Sequence, residues 1–418
     1  MPGDPYDMRR GTDLGLLFAG RMLRLFGYGF VSIPLVLYLT ALGLDEAAVG
    51  LLLSLTLLGD ILLSLLLTTS ADRLGRRRTL VLGAALIVLA GVALGGSEML
   101  WLVAAAMLVG VLSPSGNEVG PFLSIEQAAL SQVVGDRRRT RTFAWYNLAG
   151  SLATAVGALA VGWFLDRQRQ AGVAPLIAYR ATMGIYAGAG AALAAVFLRL
   201  SPAVEALAAA PPAARRMGIH RSRPIVLGLS ALFALDAFAG GLILQSLVAY
   251  WFTLRFDAAP GVLGSIFFAS NVLAGLSGLV AARLAARFGL VNTMVFTHLP
   301  SNVLLMTVPL MPTLETAVAA LLLRFALSQM DVPTRQSYLM AVVAEDERSA
   351  AAGITTTARS LGALLSPSLS GRLLAAPALL GAPFFLSGGL KVVYDLLLFR
   401  AFRRIRPPEE MGTEAASD

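Results

Sequence analysis

Cysteine is absent from the 418 residues, which excludes a disulfide framework and thiolate chemistry. Lysine is nearly absent: Lys391 is the only one, and arginine carries the rest of the basic charge. Two histidines, His220 and His298, leave little material for acid–base catalysis. Neither a phosphate-binding glycine loop nor a run of clustered metal ligands is present. The chain is therefore not expected to be an enzyme, and neither a cofactor nor a resident metal is expected. Charge of either sign is also scarce, at 14% of residues against roughly 25% in a soluble domain.

Apolar residues fill the space that charge leaves, at 57% of the chain. A length of 418 residues could supply two or three soluble domains, but none would need this much apolar surface. The solvent such a chain suits is a lipid bilayer. A spanning helix takes about 20 mostly apolar residues. Twelve such stretches can be drawn, at 14–41, 47–69, 79–96, 99–132, 142–165, 177–198, 224–253, 260–282, 293–311, 314–343, 350–375 and 379–400. The first is too long for the core of a signal peptide, which runs about 7–15 residues. The expected fold class is all-α integral membrane, with twelve transmembrane helices.

Arginine in the short loops sets the expected orientation. With a cytoplasmic N-terminus, only Arg167, Arg169, Arg180 and Arg255 fall on the outer face, and the remaining loop arginines fall inside. Both termini are then cytoplasmic, and the membrane expected is the cell (inner) membrane. The formal charge of +8 becomes a topology signal, so the partners expected are the lipid bilayer and no nucleic acid. Residues 1–199 read as an N-terminal six-helix bundle and 200–223, with Pro211-Pro212, as a cytoplasmic linker. Residues 224–402 read as a C-terminal six-helix bundle and 403–418 as a cytoplasmic tail.

A charged turn between the second and third stretches, Asp72-Arg73-Leu74-Gly75-Arg76-Arg77-Arg78, has a fainter copy at Ala286-Arg287-Phe288-Gly289-Leu290. The offset that carries Asp72 onto Ala286 also carries Gly50 onto Gly264 and Thr79 onto Thr293. A repeat on this scale in an apolar chain marks two similar bundles joined end to end, the usual build of solute transporters.

These residues resemble the major facilitator superfamily, whose loop between helices 2 and 3 reads approximately G-x-L-x-D-R-x-G-R-R. Asp72, Arg73, Gly75, Arg76 and Arg77 match it, while Thr68 and Ser70 stand where the leading glycine and the leucine belong. Arg287 and Gly289 keep the echo between helices 8 and 9, with Ala286 in place of the acid. The resemblance implies two pseudo-symmetric six-helix bundles, and it implies that Asp72 and these arginines act as a conformational latch. The family's drug–proton antiporter branch also carries an arginine in helix 4 and a proline-bearing glycine run in helix 5. This chain has neither, and its nearest such run is Gly362 to Gly371 in helix 11.

Ionisable residues inside spans are costly, so each is a functional candidate by default. Asp236, Asp60 and Glu126 are the candidate proton carriers, because a desolvated carboxyl can exchange its proton as its partners change. Arg24, Glu118, Asn271, His298, Asp331, Arg335, Gln336 and Arg359 are candidates for a substrate cavity. Asp331 with Arg335, and Lys391 with Asp395, stand four residues apart and read equally well as ion pairs within one helix. Arg21 is close enough to its helix end to reach the inner surface. Asp60 could be a buried acid paired with Arg24. Two prolines and two glycines in Pro114-Ser-Gly116-Asn-Glu118-Val-Gly120-Pro121 must kink or unwind helix 4, and Pro333 marks a related break in helix 10.

The function expected is secondary active transport of a small solute by alternating access, proton-coupled, with efflux slightly favoured and the protein a monomer. A proton-coupled importer of an organic anion and a metal-ion transporter remain alternatives, the second resting on His298 with Asp236, Asn271, Met294 or Asp331 as further donors. A non-transporting sensor or scaffold on the same fold is the alternative of another class.

Overall fold

The computed structural model describes residues 5–134, 136–205, 219–403 and 405. The linker core 206–218 and most of the 403–418 tail lie outside the described residues, and so does the side chain of Asp72. The chain runs α1 (Pro5–Ser32), α2 (Pro34–Ala41), α3 (Glu46–Leu74), α4 (Arg76–Gly96), α5 (Leu100–Val109), α6 (Phe122–Val133), α7 (Asp136–Gln170) and α8 (Pro175–Leu198). It continues through α9 (Arg223–Gly241), α10 (Gln245–Phe256), α11 (Pro260–Phe288), α12 (Leu290–Thr307), α13 (Leu314–Ser328), α14 (Asp331–Val342), α15 (Arg348–Leu364), α16 (Ser366–Leu374) and α17 (Ala382–Phe402).

The helix ends follow local chemistry. Asp45 caps α3 by accepting from the Ala48 N–H at 2.7 Å, and Thr313 with Thr316 forms a reciprocal capping box on α13. The two repeated loops turn on glycines in the left-handed region, Gly75 at φ 96° and Gly289 at φ 83°, where a side chain would be strained. The two loops thus turn on glycine in the same way.

Nine helical stretches among the described residues are long and apolar enough to cross a membrane, short of the twelve expected. The shortfall has a structural cause. The stretches 99–132, 314–343 and 350–375 are each divided into two shorter helices, α5 and α6, α13 and α14, and α15 and α16. In the first, residues 110–121 leave helical geometry altogether, with Val111, Gly116 and Gly120 at φ 48°, 70° and 79°. In the third, Pro367 opens α16 and denies its N–H to the preceding turn. Exposed Leu65, Leu66, Leu89, Trp163 and Phe296 give the exterior an apolar face, as a lipid solvent requires.

Chain contacts divide the molecule into two compact units, Met1–Pro212 with Gln245–Phe268, and Ala213–Leu244 with Ala269–Asp418. In the first, α1 packs along α7 and α4 along α8. Small residues permit the close approach, as in membrane helix pairs generally: a Cβ on Gly29 would overlap the Thr154 carbonyl, and one on Gly91 would meet the Met183 carbonyl at 2.7 Å. The segment Gln245–Phe268 belongs to this unit through the Gln245 Nε2 bond to Ser32 at 2.8 Å, the Tyr250 hydroxyl bond to Glu46 at 2.7 Å, and the approach of Gly264 to Gly162.

In the second unit α9 packs on α15 and α12 on α17, around a core that includes Val226, Leu229, Phe233, Met294, Tyr338 and Leu398. Glu347, in the loop before α15, accepts from the backbone N–H groups of His220, Arg221 and Ser222 at 2.6, 2.8 and 2.9 Å and so ties down the start of α9. Those N–H groups, Arg221 and His220 foremost, hold its carboxyl down at about 2.

Candidate functional site

Most of the ion-paired side chains within the spans collect into one cluster in each unit. In the first unit α1 presents Arg21 and Arg24 on one face, three residues apart. Glu118 comes from the unwound 110–121 segment and Glu126 from the first turns of α6. Arg21 pairs with Glu118 at 2.8 Å, and Arg24 pairs with both Glu118 and Glu126. The Tyr146 hydroxyl of α7 donates to Glu126, and the Arg21 Nε donates to the Tyr146 carbonyl at 2.9 Å. Arg24 stacks over the Phe122 ring at 4.7 Å. Arg24 and Glu126 are almost wholly buried, at 2% and 0% exposure. Arg21 is buried as well, so it does not reach up to the inner surface; a carboxylate on the interrupted helix holds it in place.

Asp60 of α3 stands apart from these pairs and is not the partner of Arg24. It accepts from the Gly120 N–H of the unwound segment and from the Ser64 hydroxyl at 3.3 Å. No ion pair to it exists among the described residues. Other carbonyls of the unwound segment have partners within the same unit: the hydroxyls of Tyr186, Tyr28 and Thr154 donate to those of Val111, Val119 and Gly116.

In the second unit Asp236 of α9 is the hub. Its Oδ1 meets Lys391 of α17 at 2.5 Å, and its Oδ2 meets Arg335 of α14 and Arg359 of α15, both at 3.0 Å. Arg335 is shared with Asp331 at 3.1 Å, as the four-residue spacing suggested. The other such spacing does not form a pair: Lys391 reaches across to Asp236, while Asp395 accepts from Asn302 at 2.9 Å and lies 2.9 Å from the His298 Nδ1. Both cross-helix contacts are with charged or polar groups on neighbouring helices, which satisfies more buried valence than a single pair along α17.

The remaining candidates are more dispersed. Asn271 is half-buried on α11, and Gln336 is exposed on α14. His298 is committed to Asp395, and Asp236 and Asp331 are committed to cations. Among the described residues no group of three His, Cys, Asp or Glu side chains could hold a metal ion.

Around the first repeated loop, Arg73 is exposed while Arg76 is buried. The Arg76 and Arg77 N–H groups donate to the Glu205 carboxylate at 2.6 and 3.3 Å, and the Arg76 guanidinium reaches the Val204 carbonyl at 3.4 Å. In the second loop Arg287 lies exposed over the Phe288 ring at 5.3 Å. Tyr146, Asn302 and Glu205 were not among the sequence candidates. Only Asn302 carried a signal, one helical turn beyond His298.

Residues 17–367 match the Major Facilitator Superfamily. The chain belongs to the Major Facilitator Superfamily. It is 28% identical to an uncharacterized membrane protein of Saccharomyces cerevisiae, over 92% of this chain and 93% of that one. Among solved structures it is similar to a D-xylose–proton symporter, with a TM-score of 0.73 at 15% identity over 92% of this chain and 97% of that chain. It is also similar to a nucleoside transporter, with a TM-score of 0.72 at 15% identity over 93% and 99%. At that identity these two similarities show the fold alone.

Proposed function

We propose that this superfamily member is a secondary active transporter that moves a small solute by alternating access and couples the movement to protons. The observation that supports it best is the placement of ion-paired charge on the interrupted helices. Glu118, Glu126, Asp331, Arg335 and Arg359 lie on stretches divided into two helices, and Arg24 and Asp236 pair with them from α1 and α9. Each charge at helix centre costs about 2.5–3.5 kcal/mol to insert, an expense that a purely structural bundle avoids. Interrupted helices supply both backbone groups and side chains that can exchange partners with a solute.

The three carboxylates have different work in this reading. Protonation of Asp60 breaks no ion pair and loosens only the Gly120 and Ser64 bonds, so Asp60 is the proton carrier that the geometry favours. Asp236 and Glu126 can take a proton only when Lys391, Arg359 or Arg24 turns to another anion, which ties proton movement to solute. Asp72, Arg73, Gly75, Arg76, Arg77, Arg287 and Gly289 form the latch loops, with both termini cytoplasmic. Efflux is the direction favoured.

The test is proton release from the purified protein in weak buffer as benzoate, tetraphenylphosphonium and Mn2+ are added separately. Release with one class that is lost in Asp60→Asn supports the reading. Silence with all three, or release unchanged in Asp60→Asn, removes proton coupling through Asp60.

A further inference from the structure

The two charge clusters differ in balance. In the first unit Arg21 and Arg24 face Glu118 and Glu126, so cations and carboxylates match. In the second unit the four cations Arg324, Arg335, Arg359 and Lys391 outnumber the three carboxylates Asp236, Asp331 and Asp395, and Asp395 is bound by His298 and Asn302 rather than by any of the four. Arg324, buried on α13, makes no ion pair among the described residues. Its Nε lacks any hydrogen-bond partner, and its guanidinium rests on the Phe325 ring at 4.9 Å. An excess of positive charge is thus held at mid-helix with too few carboxylates to offset it, a costly arrangement unless an anion joins it.

The surroundings of Lys391 have the form of a place for that anion. Gly240 lies one turn beyond Asp236 on α9 and adjoins the ammonium without a side chain of its own: a Cβ there would stand in van der Waals contact with the Lys391 Nζ at 3.9 Å. Ser387 lies one turn before Lys391 on α17, wholly buried, with a hydroxyl that has no partner. The Arg359 side chain is 34% exposed, against 8% for Arg335 and 9% for Lys391. Arg359 is therefore the cation a ligand meets first, with Lys391 and Arg335 deeper in the cluster.

We infer that this cluster is an anion-recognition site, in which the carboxylate or phosphate group of a solute binds Arg359, Lys391 and the Ser387 hydroxyl, and in which Asp236 occupies the same cations when no ligand is present. Asp236 is then an internal competitor: it keeps the cations paired in the empty site, and the ligand must displace it. Arg335, anchored by Asp331, stays in place during the exchange. The inference rests on the transporter reading only in treating the anion as cargo; the binding chemistry stands on the cluster alone. The same oxygen chemistry is offered by a soluble solute and by a lipid headgroup.

Because Lys391 is the only lysine, lysine labelled with 15N at Nζ gives a single side-chain resonance from the full-length protein. At constant ionic strength it is titrated with benzoate, glucose 6-phosphate and dihexanoyl phosphatidate, each against its uncharged or zwitterionic counterpart: benzyl alcohol, glucose and dihexanoyl phosphatidylcholine. The expected result is a saturable shift with at least one anion and none with its counterpart; which anion acts separates soluble solute from lipid. Asp236→Asn should bind that anion about tenfold more tightly, a gain of about 1.4 kcal/mol, and Arg359→Gln about tenfold more weakly. Should Asp236→Asn not fold, Arg359→Gln carries the test, since its side chain is partly solvated. The inference is overturned if no anion moves the resonance, if the counterparts move it equally, or if Arg359→Gln leaves affinity unchanged. A bound anion that is not carried across reconstituted vesicles leaves the site standing and removes the transporter reading; carriage of a neutral solute with no anion shift does the reverse.

Discussion

Replacing Arg24 with methionine tests the buried network of the first unit. The two carboxylates it serves depend on it unequally. Glu118 keeps Arg21 at 2.8 Å, whereas Glu126 keeps only the Tyr146 hydroxyl. Glu126 is 0% exposed and Arg24 2%, so no discount for solvent screening applies. Removing one partner of a buried pair costs about 3–5 kcal/mol, because the other charge is left behind. Arg24→Met should fall in that range. Glu126→Gln leaves Arg24 with Glu118, and should cost only about 1–2 kcal/mol, near the value of one charged hydrogen bond. The double variant removes both charges together and should lie within about 2 kcal/mol of the native protein, since replacing a whole buried pair is often close to neutral. The cycle therefore closes on a coupling energy of at least about 2 kcal/mol. Reversible unfolding by SDS in mixed micelles measures each corner. A coupling energy indistinguishable from zero, or an Arg24→Met cost below about 1 kcal/mol, would refute the view that these charges depend on each other.

Other consequences follow from packing and titration. Gly29→Val should cost about 1–3 kcal/mol by driving α1 away from the Thr154 carbonyl on α7, measured by the same unfolding assay. His298→Leu should cost about 1–3 kcal/mol, since it strips a partner from an Asp395 carboxylate that is 1% exposed; stability within error of native would show that Asn302 alone suffices. Glu347 is held at about 2, below its ordinary 4.5. A depressed carboxylate contributes stability that is complete above about 4.5 and is lost as pH falls toward 2. The stability difference between native protein and Glu347→Gln should therefore be constant from pH 7 to 5 and shrink between pH 4.5 and 2.

The sequence pattern made some of this architecture legible and left the rest hidden. The repeated loop could be read because glycine alone tolerates the left-handed turn that both Gly75 and Gly289 adopt. The break in the fourth stretch was readable from Pro114, Gly116, Gly120 and Pro121, although its extent over residues 110–121 was not. The count of twelve spans is not matched by continuous helices, because hydrophobic runs do not record where Gln329, Met330 and Leu365 interrupt a helix. Spacing within one helix identified Asp331 with Arg335 and failed for Lys391 with Asp395. Four-residue spacing states only that two side chains can meet, not whether a neighbouring helix offers a better partner. Asp236 on α9 and His298 on α12 were such partners, and nothing local in the sequence of α17 points to either. Arg21 looked like a snorkelling residue for the same reason, since its counter-charge sits on Glu118, far away in the chain.

The most direct test of coupled transport is made in reconstituted proteoliposomes that enclose a pH-sensitive dye, with an imposed gradient of benzoate, glucose 6-phosphate or tetraphenylphosphonium and no other driving force. The account predicts that a gradient of one solute moves protons across the membrane, and that Asp60→Asn abolishes proton movement while solute exchange persists. Solute movement with no accompanying proton flux, or proton flux undiminished in Asp60→Asn, would contradict it.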